Sequence, residues 1–222
     1  MPYFNLQNIL ISAIAALIIL PIHEWAHAFT AHKLGDNTAY YSGRMTMNPL
    51  AHLDPIGFIC LVVAGFGWAK PVPVNPLNFK NSQRGMAITS AAGPISNFVL
   101  AYLVLIVYKV FFYLAGGAAA IMANTALWAA GQILSAIISI SIGLGVFNLI
   151  PIPPLDGSKI IAPLLPRRWI YFMNQYQMYI SLGLMLLLVS GVLSYPLSFV
   201  RGWIFSVLDF LSGFVDMIFR VI

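Results

Sequence analysis

The chain alternates between long apolar runs and one extended polar interval, and the lengths of the runs decide the element types. A helix crosses a bilayer with about 20 mostly apolar residues, and four runs meet that length, about 6–32, 86–114, 125–150 and 173–193. A fifth covers about 197–219. No Lys or Arg precedes the first run, so it lacks the basic start of a cleavable signal and is expected to remain as a helix. Residues 33–85, between the first two spans, are polar and proline-rich. Their apolar piece, residues 56–67, is too short to cross and reads as re-entrant or interfacial. Residues 68–76 hold too many prolines for a helix, and residues 38–48 predict a short β-strand pair around Ser42-Gly43. The predicted fold is an all-α polytopic membrane protein. It has about five transmembrane helices and a re-entrant or interfacial segment with short β-strands between the first two, with residues 1–222 as a single membrane-embedded domain.

Composition agrees with that solvent. Of 222 residues, 60% are hydrophobic and 8% charged, against about 25% charged in a soluble domain. A soluble globule, a disordered chain and a nucleic-acid-binding surface are thereby excluded, and the partner implied is the lipid bilayer. The single Cys60 permits neither an intrachain disulfide nor a Cys-based metal site. The net charge of +5 comes from scattered basic residues. With five spans, the loops 33–85 and 151–172 and the C-terminal Arg220 share one face and hold 9 of the 11 Lys and Arg. By the positive-inside rule that face is cytoplasmic, which puts the N-terminus outside. Lys109 and Arg201 are the exceptions, expected to snorkel from the outer ends of their helices.

Charges this scarce draw attention to the six acids, five Asp and one Glu, because an ionisable residue within a bilayer is a functional hypothesis by default. The single Glu24 stands in His23-Glu24-Trp25-Ala26-His27, inside the first apolar run. Two His at i and i+4 share one helical face and can reach one Zn²⁺, while the Glu beside the first is placed to take a proton from a metal-activated water. With four His and one Glu in 222 residues, chance would produce the pattern about 3 times in 10,000 such chains. A packed pair of histidines with a salt-bridging Glu is the plainer reading, and it accounts poorly for three ionisable groups at membrane depth.

A catalytic zinc takes three protein ligands and keeps one open position. A thermolysin-like third ligand would be a second Glu, and the chain has none; a metzincin-like one would be a His at the position of Lys33. The remaining candidates are His32, His52, Asp36, Asp54, Asp156, Asp209 and Asp216. Asp156 stands out, because Pro151, Pro153 and Pro154 break the chain just before it, and broken backbone at that depth is tolerated where it lines protein or a wet cavity. The apolar helix 125–150, which runs into this break, also returns toward the face to which His23 and His27 lie, the cytoplasmic side. A Pro-rich turn with a solvated Asp is the bland alternative.

His23-Glu24-Trp25-Ala26-His27, together with residues 148–157 (NLIPIPPLDG), residues 43–55 (GRMTMNPLAHLDP) and Gly93-Pro94-Ile95-Ser96-Asn97, resembles the site-2 protease family of intramembrane zinc metalloproteases, in a compact form without PDZ or CBS modules. The resemblance implies His23, His27 and Asp156 as zinc ligands, Glu24 as general base, and transmembrane protein substrates cut in or near their membrane segments. Asn97 would position substrate or stabilise the oxyanion, with an interhelical hydrogen bond as the equal alternative, and His52 falls in a stretch near the site. A helical substrate must be unwound before it is cut, and the segment 68–76 or the strands near 38–48 would capture the extended form by β-augmentation. The competing readings are a non-proteolytic membrane metal transporter or sensor, which gains little from a base beside a ligand, and a scaffold in which these groups merely pair.

Overall fold

A computed structural model describes residues 6–57 and 69–221 of the chain. Helix α1 is Leu6–Lys33. The single turns α2, Thr38–Tyr41, and α3, Pro49–His52, follow it. A 3-10 turn at Pro76–Asn78 leads into α4, Ser82–Leu114. Next come α5, Gly117–Ala123, and α6, Thr125–Asn148. A short α7, Asp156–Ile161, precedes α8, Arg167–Gln175, and α9, Gln177–Val189. The last two are α10, Ser194–Leu211, and α11, Gly213–Val221.

Helices α1, α4 and α6 are long and apolar enough to cross a membrane, and they pack on one another as the centre of the protein. Ala15 and Ile19 of α1 meet Ile137 of α6, and Ala101 and Leu105 of α4 meet Ile138, Ile142 and Val146 of α6 with Leu208 of α10. Small residues set the approach, since a Cβ on Gly145 would stand 2.6 Å from the Phe98 ring. Without a hydrophobic force between helices in lipid, such close contacts supply the association.

The two C-terminal spans expected from the sequence are bent pairs. The α8–α9 break turns by 73° and the α10–α11 break by 43°, so each pair is a broken span or a re-entrant loop and the count of spans is three to five. The 13 residues of α9 reach about 20 Å at helical rise, short of a hydrocarbon core of about 30 Å. The hydropathy runs on through the break, where the polar signal is Asn174-Gln175-Tyr176-Gln177. The C-terminus also departs from expectation. Phe219 stacks on Tyr113 at 4.9 Å between centroids, so the chain ends beside the Leu114 end of α4, opposite the Ser82 end that the 33–85 loop enters. Arg220 therefore does not share a face with that loop. Asp209 and Asp216 meet Lys109, at 2.8 and 2.6 Å from its Nζ.

The strand pair expected in 38–48 is absent. Residues 38–41 form a helical turn because the Asp36 carboxylate accepts the Thr38 N–H and hydroxyl and Gly43, at φ 67°, ends the turn. Among the described residues the one β contact is an isolated antiparallel bridge between Leu53 and Ala69. Residues 58–67 of the expected re-entrant piece lie outside the described residues. The proline-rich stretch is extended as far as the turn at Pro76, as its missing N–H groups require.

Asp36 joins that stretch to the end of α1. Fully buried, it also accepts the Asn75 N–H and the Asn78 side-chain amide, both at 2.7 Å. Burial opposes its charge, yet the bonds from Thr38, Asn78 and Asn75 outweigh it and hold the carboxyl below the ordinary carboxylate range. A carboxyl depressed by folding stabilises the protein above its unfolded value, near 4, and that contribution is lost as pH falls through the folded value. Asp36→Asn is expected to destabilise by about 1–3 kcal/mol at neutral pH. Thermal unfolding in detergent at several pH values checks this, with the gap from wild type closing as the medium is acidified below about 4.

Candidate metal centre

The i, i+4 spacing puts His23 and His27 on the buried face of α1. Their Nε2 atoms lie 3.0 Å apart. Asp156 opens α7, and its Oδ2 lies 3.3 Å from His23 Nε2 and 3.2 Å from His27 Nε2. All three residues are buried, and among the described residues they are the group of metal-ligating side chains that converges on one point.

The other ring nitrogens fix what the converging atoms are. His27 Nδ1 lies 2.7 Å from the Thr89 carbonyl, which can only accept, so Nδ1 carries the proton and a neutral His27 presents a bare Nε2. His23 Nδ1 lies 3.1 Å from Asn97 Nδ2; turning the amide over exchanges that donor for the buried Oδ1, which has no other partner, and Nδ1–H then donates to it in the same way. Two bare nitrogens and a carboxylate oxygen then face one another with too few protons between them, an arrangement that a cation stabilises. The triangle also fits, because a tetrahedral ion with bonds of about 2.0 Å needs ligand atoms about 3.3 Å apart.

Local structure holds each donor in place. Pro94 removes the N–H that would pair with the Ser90 carbonyl and loosens the turn of α4, beside the Thr89 carbonyl that takes His27. Gly93 lies so close that a Cβ there would stand 2.4 Å from His27 Nε2 and 2.6 Å from His23 Cε1. Gly157 lets the start of α7 press on the end of α6, for a Cβ there would meet the Leu149 and Ile150 carbonyls at 2.3 and 2.4 Å. The turn 149–155 is tied by the Ile152 N–H to Ile150 and the Leu155 N–H to Ile152. That contact turns a proline-broken loop into a fixed platform for Asp156.

Glu24 is buried beside the cluster, and its Oε2 accepts the Val72 N–H at 2.8 Å. The extended segment thus lies across Glu24. Arg44 fastens it from the other side by donating to the Lys70 and Pro71 carbonyls at 2.7 and 3.3 Å. His52 stands apart from the metal-facing atoms. Its Nε2 bonds the Thr46 carbonyl at 2.8 Å, and its own carbonyl accepts the Lys70 N–H at 2.8 Å, so it supports the segment that reaches Glu24. Asn97 makes its bond across helices to His23. His32 bonds Asn37, and Asp36, Asp209 and Asp216 are engaged elsewhere. Sequence reasoning missed Thr89, which acts through its backbone carbonyl and so leaves no side-chain signal, and Arg44.

Comparison with known proteins agrees with this geometry. The model of peptidase family M50 matches residues 11–190. A candidate zinc metalloprotease of Bacillus subtilis, YwhC, is 40% identical over 197 residues, 88% of this chain and 87% of its own. Candidate zinc metalloproteases named Rip2 from Mycolicibacterium smegmatis and Mycobacterium tuberculosis are 32% and 31% identical, each over 66% of this chain and 54% of their own length. The chain thus spans about half of the Rip2 proteins. No solved structure matches.

The close approach of Gly93 gives a direct test. Gly93→Ala is expected to abolish stoichiometric zinc binding, whereas Gly183→Ala, where a Cβ meets nothing within 4 Å, leaves it intact. Asn97→Leu should weaken zinc affinity about 10- to 100-fold. Elemental analysis and competition with a chelator measure both.

Proposed function

Since the chain belongs to peptidase family M50, we propose that it is an intramembrane zinc metalloprotease, in which His23, His27 and Asp156 hold the ion and Glu24 is the general base. The observation that carries this reading is the convergence of three metal-facing lone pairs beside the chain's one Glu. Zinc bound there would supply the positive charge that acidifies a water and polarises the scissile carbonyl. Every other part of the chemistry falls to the chain.

Among the described residues, Val72 is the one hydrogen-bond donor to Glu24. Oε1 is thereby left to take the proton of the attacking water while Oε2 is held. Glu24 then returns that proton to the leaving amine nitrogen as the peptide C–N bond breaks and the water oxygen stays on the carbonyl carbon. Asn97 and Thr89 keep both imidazoles neutral and aimed, so we assign Asn97 as a positioning residue for His23. The helix surroundings exclude bulk water, which strengthens each of these electrostatic contacts.

Substrates are transmembrane proteins, unwound locally before cleavage. The segment 69–75 supports this, since Pro71 and Pro73 cannot donate and Val72 and Asn75 already do, to Glu24 and Asp36. With the Lys70, Pro71 and Asn75 carbonyls already bonded, what it offers an incoming strand is the carbonyls of residues 72–74, as an edge does in β-augmentation. The orientation we assign puts the loops 33–85 and 151–172, with 8 of the 11 basic residues, in the cytoplasm of a cell whose membrane the chain crosses several times. The chain acts there as one membrane-embedded unit.

Glu24→Gln is expected to keep zinc and lose cleavage by at least 10²-fold, read as an uncut membrane substrate that accumulates in the variant; full cleavage by the variant would refute the base assignment. Cysteines at positions 73 and 74 are expected to crosslink to a substrate trapped on that variant. A substrate that never crosslinks there is bound elsewhere.

A further inference from the structure

Two cations, Lys109 and Arg201, stand well inside apolar helices and not at their ends or in loops, and the fold treats them differently. Lys109, on α4, lies 2.8 Å from Asp209 Oδ1 and 2.6 Å from Asp216 Oδ2, so the chain itself supplies its counter-charge. Arg201, on α10, has no acidic partner among the described residues. Its Nη2 donates to the carbonyl and hydroxyl of Ser139 at 3.2 and 2.8 Å, and both are neutral. The guanidinium lies against α6 where Gly143 leaves room, since a Cβ there would stand 3.4 Å from Arg201 Nε and Cζ. A cation among apolar helices is expensive without a partner, and it pairs or marks a site. Lys109 shows the first outcome in this protein.

Arg201 opens onto a cavity of about 570 Å³ between α4, α6 and α10, within the size range of small-molecule sites. Tyr108, Ser135 and Ser139 line it with the guanidinium, and Leu105, Ile142 and Phe205 form its apolar wall. It opens outward past Ser135, Ser198, Gly202 and Phe205, which are exposed on the apolar helices α6 and α10, the surface a bilayer would cover. Tyr108 is six residues from the Leu114 end of α4, about 9 Å at helical rise, a depth from which an arginine reaches headgroups. Leu105 is eight residues, about 12 Å, along α4 from Asn97, so the cavity is separate from the metal centre.

We propose that this cavity binds an anionic phospholipid, with its phosphodiester on Arg201 and an acyl chain along the apolar wall. The donors suit that group, because a guanidinium fork flanked by hydroxyls matches phosphate oxygens. A soluble anion would have no use for the apolar wall. The lipid supplies the counter-charge that Arg201 lacks and binds α10 to α4 and α6. The proposal is independent of the hydrolytic reading.

The test uses the full chain in a neutral detergent, stripped of lipid, by native mass spectrometry with phosphatidylglycerol, phosphatidylcholine or inorganic phosphate. Phosphatidylglycerol is expected to bind wild type at least about tenfold more tightly than Arg201→Gln, the loss of roughly one charge-assisted bond. Arg201→Lys, which keeps the charge and loses the fork, is expected to bind more tightly than Arg201→Gln and more weakly than wild type, and zinc content reports that each variant is folded. Phosphatidylglycerol should also raise the unfolding temperature of wild type more than phosphatidylcholine does. Equal binding by wild type and Arg201→Gln, equal binding of the two lipids, or displacement of lipid by millimolar phosphate would each overturn the proposal. If Arg201→Gln does not fold, the comparison of the two lipids on wild type and on Ser139→Ala decides: phosphatidylglycerol must be preferred by wild type and less so by Ser139→Ala, and any other result overturns it.

Discussion

Three lone pairs, from His23, His27 and Asp156, are held 3.0 to 3.3 Å apart in a buried site, and much of the fold around them is arranged to keep them there. Such a cluster repels itself without a cation, so its ligands need external support. Thr89 and Asn97 on α4 fix the two imidazoles, and Gly93 lets α4 come near enough to do so. Gly157 does the same for α7 against the end of α6. The bundle of α1, α4 and α6 acts as a clamp, and its tight helix contacts and its metal donors depend on the same few residues without a side chain.

The extended segment between the first two spans is the second structural commitment. It has few backbone donors, and it uses two of them on buried carboxylates, Val72 on Glu24 and Asn75 on Asp36. Asp36 therefore acts at a distance from the metal-facing cluster by fixing the register of the segment that reaches Glu24. Arg44 and His52 hold the same segment through carbonyls. A loop tied at four points by residues remote in sequence, three of them through side chains and His52 through its backbone carbonyl, behaves as part of the site.

Intramembrane charge is handled by three different means. The metal centre is suited to a cation, Lys109 is balanced by Asp209 and Asp216, and Arg201 is left with neutral oxygens beside a cavity. In a medium of low dielectric each uncompensated charge is costly, so the unbalanced one carries the most information.

That His23 and His27 face one point was legible in the sequence because a helix places i and i+4 on one face whatever surrounds it. Scarcity made Asp156 legible too, since few acids were left to choose from and prolines marked a break before it. The three central spans followed from length and hydropathy alone. What only the tertiary structure decided are the contacts between elements. They include the pairing of Asn97 and Thr89 with the imidazoles, the carboxylate that folds residues 38–41 into a turn in place of a strand, the bends that shorten the last two spans, and the position of the chain's end beside Tyr113. Periodicity and composition report how one segment meets its solvent. Which carbonyl faces which ring depends on helix approach distances set by single glycines, and no local pattern encodes those.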